Sequence, residues 1–232
     1  MDVLAIVAHP DDADIFCGAT LAKHADRGDE VTIAHMTRGE YGGVDTTQDE
    51  LAAVREREAR ASGAELGADV EFLDFEDGRV TYSLEARLEV VATIREHDPD
   101  LILTHFDDDM HPDHRATSRL VTDAYYMASL PLVDVGGAAC DPDNVYYVGK
   151  PTSSFEPTVS VDVTGYLDAK VRAVEQHESQ VAFLAAHGGI DAEFDDLEED
   201  VRAEARSLGK RVGVRYAEGF RPLHEQARAY LD

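Results

Sequence analysis

Val3-Leu4-Ala5-Ile6-Val7-Ala8-His9-Pro10-Asp11-Asp12-Ala13-Asp14 passes from an unbroken apolar run into a histidine, a proline and adjacent carboxylates. The run is rich in β-branched residues and reads as a strand buried on both faces. An amphipathic helical pattern follows at about residues 15–27, with Gly28 as its stop. A buried strand, a short polar turn and a helix, in that order, open a parallel α/β sheet. The tip of such a strand is rigid, so the side chains on it are held in fixed directions.

The pattern repeats along the chain. Residues 30–37 read as a second buried strand, ending in the glycine-rich loop Arg38-Gly39-Glu40-Tyr41-Gly42-Gly43. Residues 51–66 read as a helix stopped by Gly67, and 70–75 as a third strand. Leu84, Leu88 and Val91 mark the next helix, and 101–104 a fourth strand. A helix then runs to about Ala128, and 131–143 reads as loop. Residues 145–148 and 158–163 are strand candidates. Leu167, Val171, Val174, Val181 and Ala185 mark one face of a long helix, and 193–209 reads as an acidic one. Residues 212–232 read as a strand or loop and a short helix. The expected fold is α/β and Rossmann-like, a mostly parallel sheet with helices on both faces, in a single domain over 1–232. In such a fold ligands bind beyond the carboxyl ends of the strands.

The fourth strand is followed by His111-Pro112-Asp113-His114, in the vocabulary of the first motif. Proline suits the first helical position, which makes His111 the N-cap and puts His114 in the first turn. Each tetrapeptide alone has a plain explanation, as a solvated turn or a helix cap. Two of them at two strand-to-helix junctions favour a functional reading. His9, Asp12 and His114 supply two imidazoles and a carboxylate, a set that suits Zn²⁺ and leaves a position open for water. Asp11 is then placed to act as general base. His111 is placed to protonate a departing amine or steady an oxyanion, with Asp113 orienting its ring.

The 232 residues include 48 Asp+Glu against 21 Lys+Arg, a formal net charge of −27. Carboxylates are spread throughout and lysine is scarce, which reads as adaptation to high salt, where screening makes self-repulsion tolerable. An acidic face for a basic partner has less support, because the charge is not confined to one block. The clearest clusters are Asp107-Asp108-Asp109 and residues 191–200. So negative a surface disfavours nucleic acid and anionic membrane. No apolar run approaches the length of a membrane span. Two cysteines without a C-x-x-C spacing give no disulfide framework, and the first strand leaves no room for a signal peptide, so the expected location is cytoplasmic.

Both motifs resemble those of the LmbE-like, or PIG-L, zinc-dependent N-deacetylases. The resemblance extends to Gly18-Ala19-Thr20-Leu21-Ala22, Thr37-Arg38-Gly39-Glu40, Arg55-x-x-Glu58, and Lys170 with His177-x-Ser179-Gln180. It implies a Rossmann-like enzyme that removes the acetyl group from N-acetylglucosamine-type amides. It implies His9, Asp12 and His114 as zinc ligands, Asp11 as base, His111 and Asp113 as an assisting pair, and Arg55 on a polar substrate. The family's first motif usually continues to Glu, where this chain has Asp14.

Some assignments stay open. Arg55 suits a surface ion pair as well as a substrate contact, and Glu40 suits a solvated loop as well as one. His177 fits the apolar stripe as a satisfied core histidine. The other histidines (His24, His35, His97, His105, His187 and His224) have no motif context. The expected partner is a small N-acetylated amino sugar; a homo-oligomer is left open. Rival readings are an amidase for another N-acyl compound, such as a thiol conjugate, and a binding module without turnover. A nucleotide-binding Rossmann protein is disfavoured, because the first turn lacks G-x-G-x-x-G and its carboxylates repel phosphate.

Overall fold

β1 (Asp2–Val7) is an interior strand of the sheet and is covered on both faces. Leu4 and Ile6 point into one apolar layer with Ile102, Val90 and Leu120; Val3, Ala5 and Val7 point into the other with Leu21, Leu66 and Ala173. Alternation across the pleat sends successive side chains to opposite layers, so a strand covered on both sides must be apolar throughout.

The computed structural model describes residues 1–149, 154–187 and 197–225. From β1 the chain runs through α1 (Asp12–Arg27), β2 (Glu30–Thr37), α2 (Gln48–Leu66), β3 (Asp69–Phe75), α3 (Leu84–His97), β4 (Leu101–His105) and α4 (Pro112–Ala128). It continues as β5 (Asn144–Val148), β6 (Val159–Asp162), α5 (Leu167–Glu175), α6 (Glu178–His187), α7 (Leu197–Val212) and β7 (Ala217–Pro222). The sheet order is β3-β2-β1-β4-β5-β7-β6. The first five strands are parallel, and β7 runs antiparallel to both its neighbours. The order reverses between β1 and β4, and both histidine motifs follow those two strands. None of the helices among the described residues is long and apolar enough to cross a membrane.

The α/β class and the parallel sheet match expectation, and the differences are local. α2 begins at Gln48 because Thr47 and Glu50 form a reciprocal capping box. The long helix expected from Leu167 to Ala185 is two helices, α5 and α6. The chain breaks at Gln176-His177, where the His177 ring turns inward and Glu58 holds the next turn by accepting from Ser179 N at 2.9 Å and Ser179 Oγ at 2.6 Å. The acidic helix is described from Leu197 and reaches Val212. β7 supplies the strand at the C-terminal end; residues 193–196 and the short helix expected after it lie outside the described residues.

Candidate metal centre and active site

The spacing His-x-x-Asp closes a turn on itself. His9 N donates to Asp12 Oδ2 at 2.7 Å, and Asp12 N donates to His9 O at 3.2 Å. Thr37 anchors the strand tip by donating to Ala8 O through its backbone N–H (3.0 Å) and its hydroxyl (3.1 Å). On the other strand His111 caps α4 through Nδ1, which accepts from Asp113 N at 3.2 Å, and Pro112 takes the first helical position. His114 therefore projects from a fixed first turn towards Asp12.

His9 Nδ1 lies 3.3 Å from Asp12 Oδ2 and 3.3 Å from His114 Nε2, and His114 Nε2 lies 3.2 Å from Asp12 Oδ1. Tetrahedral coordination with bonds of about 2.0–2.1 Å separates ligand atoms by about 3.3–3.4 Å. Asp12 faces His9 with Oδ2 and His114 with Oδ1, so the two imidazoles and the carboxylate converge on a space that suits a single divalent cation.

The outer ring nitrogens are backed by carboxylates. His9 Nε2 lies 3.2 Å from Asp77 Oδ1 and 3.5 Å from Asp113 Oδ2, and His114 Nδ1 lies 3.1 Å from Asp109 Oδ2. Carboxylates this near favour a proton on the outer nitrogens and leave the inner ones to face a metal, although neither outer nitrogen closes a hydrogen bond here. The electrostatics agree. Burial alone pulls His114 down, but Asp12 and Asp109 lift it to about 9. Burial opposes and Asp113, Asp12 and Asp77 carry His9 well above its ordinary value. Burial raises Asp12, while His114 and His105 hold it well below the usual carboxylate range. The cluster demands positive charge at its centre.

Ligand-type atoms of Asp12, His105 and His114 also lie within 4.8 Å of one another. His105 is the weaker ligand, because its Nε2 already accepts from Ala8 N at 2.9 Å. Its ring instead stacks on His114, with centroids 4.0 Å apart and planes 8° apart. Burial and the His114 charge push it down to about 4, so it stays neutral. His35 is a second buried histidine here; its Nδ1–H donates to His9 O at 3.0 Å.

Asp11 occupies the N-cap position of α1, yet its side chain caps nothing. It accepts from Arg55 Nη2 at 3.1 Å, while Arg55 Nη1 donates to Gly39 O at 2.8 Å. Arg55 is 3% exposed, which removes the surface ion pair as its explanation. Gly39, at a φ of 66°, leaves the space its guanidinium fills. Glu40 is partly buried and Oε1 accepts from Asp77 N at 2.9 Å. Asp113 does not turn its carboxylate to His111: Oδ2 accepts from Gly78 N at 2.7 Å and faces His9, and only its backbone N–H holds the His111 ring. Asp14 sits 2.6 Å from His177 Nε2, both side chains 2% exposed, so His177 is a core histidine tied to Asp14, with its Nδ1 left without a hydrogen-bond partner among the described residues.

Sequence reasoning left His105, His35, Asp77 and Asp109 without a role. His105 ends β4, and that strand-end position is the signal available for it; His35 lies inside β2, two residues before its end, and carries no such signal. Asp109 read as part of a solvated acidic cluster, although its side chain is 7% exposed.

The model of the family "PIG-L: GlcNAc-PI de-N-acetylase" matches residues 4–125, which span both motifs. The chain belongs to the PIG-L family. It is 34% identical over 227 residues to the diacetylchitobiose deacetylase of Thermococcus kodakarensis, covering 94% of this chain and 82% of that protein. Among solved structures, the N,N'-diacetylchitobiose deacetylase of Pyrococcus horikoshii superposes with a TM-score of 0.82 at 30% identity, covering 96% of this chain and 83% of that one. The conserved protein TT1542 of Thermus thermophilus superposes at 0.85 with 28% identity, covering 99% and 97%. The PIG-L match ends inside α4, so β5 to β7 lie beyond the residues matched by the family model.

Proposed function

We propose that this PIG-L protein is a zinc-dependent N-deacetylase of an N-acetylglucosamine-type sugar, with His9, Asp12 and His114 as the zinc ligands. The observation that carries the reading is the convergence of His9 Nδ1, His114 Nε2 and the Asp12 carboxylate, whose Oδ2 faces His9 at 3.3 Å and whose Oδ1 faces His114 at 3.2 Å, with the two ring nitrogens 3.3 Å apart and a further carboxylate beside each imidazole. The deacetylase names of two of the relatives above support the reaction class. Zn²⁺ in this position polarises an amide carbonyl and acidifies water. Asp11, held by Arg55, takes the proton of the attacking water as general base. His111 accepts from Asp113 N through Nδ1, so the neutral ring carries its proton on Nε2. Burial and the charges of His9 and His114 lower its pKa, which suits a neutral donor to the oxyanion. The water proton on Asp11 then goes to the departing amine, giving acetate and a free amino sugar. Arg55 acts here by holding the base, and Glu40 by holding Asp77, which backs His9.

The test is acetate release from N,N'-diacetylchitobiose, N-acetylglucosamine and a panel of other N-acyl compounds. Zinc-loaded protein is expected to release acetate from one or more of the amino sugars, and to stop when a chelator strips the metal. Zinc-loaded protein that releases none contradicts the reading, and turnover of another N-acyl compound alone moves the substrate class.

Zinc affinity is expected to depend on pH with a definite sign. His114 keeps its proton up to about pH 9, and a cation must displace it. Affinity therefore rises through the neutral range by about tenfold per pH unit for each proton displaced, and levels off above that pKa. Competition titrations against a chromophoric chelator read this directly; an affinity flat with pH contradicts it.

The charge of −27 is read as adaptation to salt. Screening then lowers the self-repulsion of the native state, and Tm is expected to climb steadily with KCl into the molar range. A Tm indifferent to KCl contradicts that.

A further inference from the structure

α1 bends at Cys17, whose φ of −143° and ψ of 15° lie outside the helical range. The bend separates the first turn, with Asp12 and Asp14, from the longer segment that starts at Gly18. At the start of that segment two backbone N–H groups are taken by a carboxylate from the far end of the chain. Glu218 Oε2 accepts from Thr20 N at 2.7 Å, and Oε1 accepts from Ala19 N at 3.2 Å. Glu218 stands on β7 and caps the second segment as an N-terminal carboxylate caps a helix. Lys170 on α5 donates to Glu218 Oε1 at 2.8 Å, with side-chain exposures of 6% and 3%. Its stem crosses Gly18, where a Cβ would sit 3.4 Å from Lys170 Cγ.

A buried ion pair is a poor device for stability alone, since apolar residues of similar volume often do as well or better. Its place in the fold gives it another use. Phe16, next to the bend, lies edge-on to His105 (5.8 Å, 86°) and to His114 (6.3 Å, 88°). The angle of the bend therefore sets both the turn that carries Asp12 and the ring that backs the two stacked imidazoles. We propose that Glu218 and Lys170 are positioning residues for the metal centre: the pair holds the bend of α1, and the bend holds Asp12 and Phe16 at the spacing a cation needs. This rests on the zinc site proposed above and extends it to the far end of the chain.

The test is zinc affinity of the full apo chain, with folding verified by circular dichroism well below Tm. The double variant Lys170→Met/Glu218→Leu removes the acceptor without leaving a buried charge unpaired. Its affinity is expected to fall about 10–100-fold, the usual size for a partner that orients a ligand. Lys170→Met/Glu218→Gln keeps an acceptor oxygen for Thr20 N and is expected to recover most of that loss. Ile94→Val, a core truncation in α3, controls for lost stability and leaves affinity unchanged. Where the Leu variant does not fold, Glu218→Asp keeps the charge but withdraws the carboxylate, and the same loss is expected. Wild-type affinity in the Leu variant, or in Glu218→Asp if that stands in for it, overturns the proposal; so does an equal loss in the Leu and Gln variants. A wild type that binds no zinc overturns the metal reading itself, and this proposal with it.

Discussion

Asp11→Asn is expected to lower kcat by about 10²–10⁴-fold, the usual contribution of a positioned general base, while the protein keeps its zinc. The substitution is isosteric, and the amide oxygen still accepts from Arg55 Nη2, so the side chain stays where it is. What it loses is the ability to take a proton. The proposed ligands His9, Asp12 and His114 are untouched, so metal content separates this variant from one that damages the centre. KM is expected to move little, since the role proposed for Asp11 is on the water and not on the sugar. Undiminished kcat removes Asp11 from the base role, and lost zinc shows that it belongs to the ligand set.

His114→Ala is expected to be more severe, because it removes a proposed ligand and strands two carboxylates. Loss of one of three protein ligands forfeits roughly a third of the ~10–16 kcal/mol that binds zinc in well-formed sites, about 3–5 kcal/mol or roughly 10²–10⁴-fold in affinity. Asp12 and Asp109 both lie beside the missing ring, their side chains 8% and 7% exposed. Without the imidazolium, each is a buried carboxylate with a partner removed, which destabilises the apo chain by about 3 kcal/mol. The variant is therefore expected to lose zinc, activity and thermal stability together. His111→Ala is the contrast, with zinc retained and kcat reduced. If His114→Ala binds zinc as tightly as the wild type, the ligand assignment fails.

Much of this was legible from one dimension because its cause is local. An apolar run covered on both faces announced β1, and the pairing of His9 with Asp12 follows from a turn only four residues long. The N-cap His111 and Pro112 were likewise readable, since capping is a matter of neighbouring backbone N–H groups. The missing parts depend on contacts across the fold. Asp77 and Asp109 look like any other acidic loop residue in a chain with 48 carboxylates, until the sheet brings them against His9 and His114. His105 reads as the last residue of a strand, and its stacking on His114 exists only once α4 folds back over β4. Arg55 sits among Arg57, Arg60 and several glutamates, so helical neighbours suggested an exposed face; Gly39 and Asp11, far away in sequence, draw it inward. The shorter Asp14 finds its partner in His177, and turning that ring inward breaks the helix the apolar stripe suggested.

The proposed metal centre has one divalent ion among His9, Asp12 and His114. Crystals of the zinc-loaded protein, measured above and below the zinc absorption edge, test it without reference to activity. One anomalous peak per chain is expected, about 2.0–2.2 Å from His9 Nδ1, an Asp12 carboxylate oxygen and His114 Nε2. A peak centred instead on His105, or between Asp77 and Asp113, would contradict it.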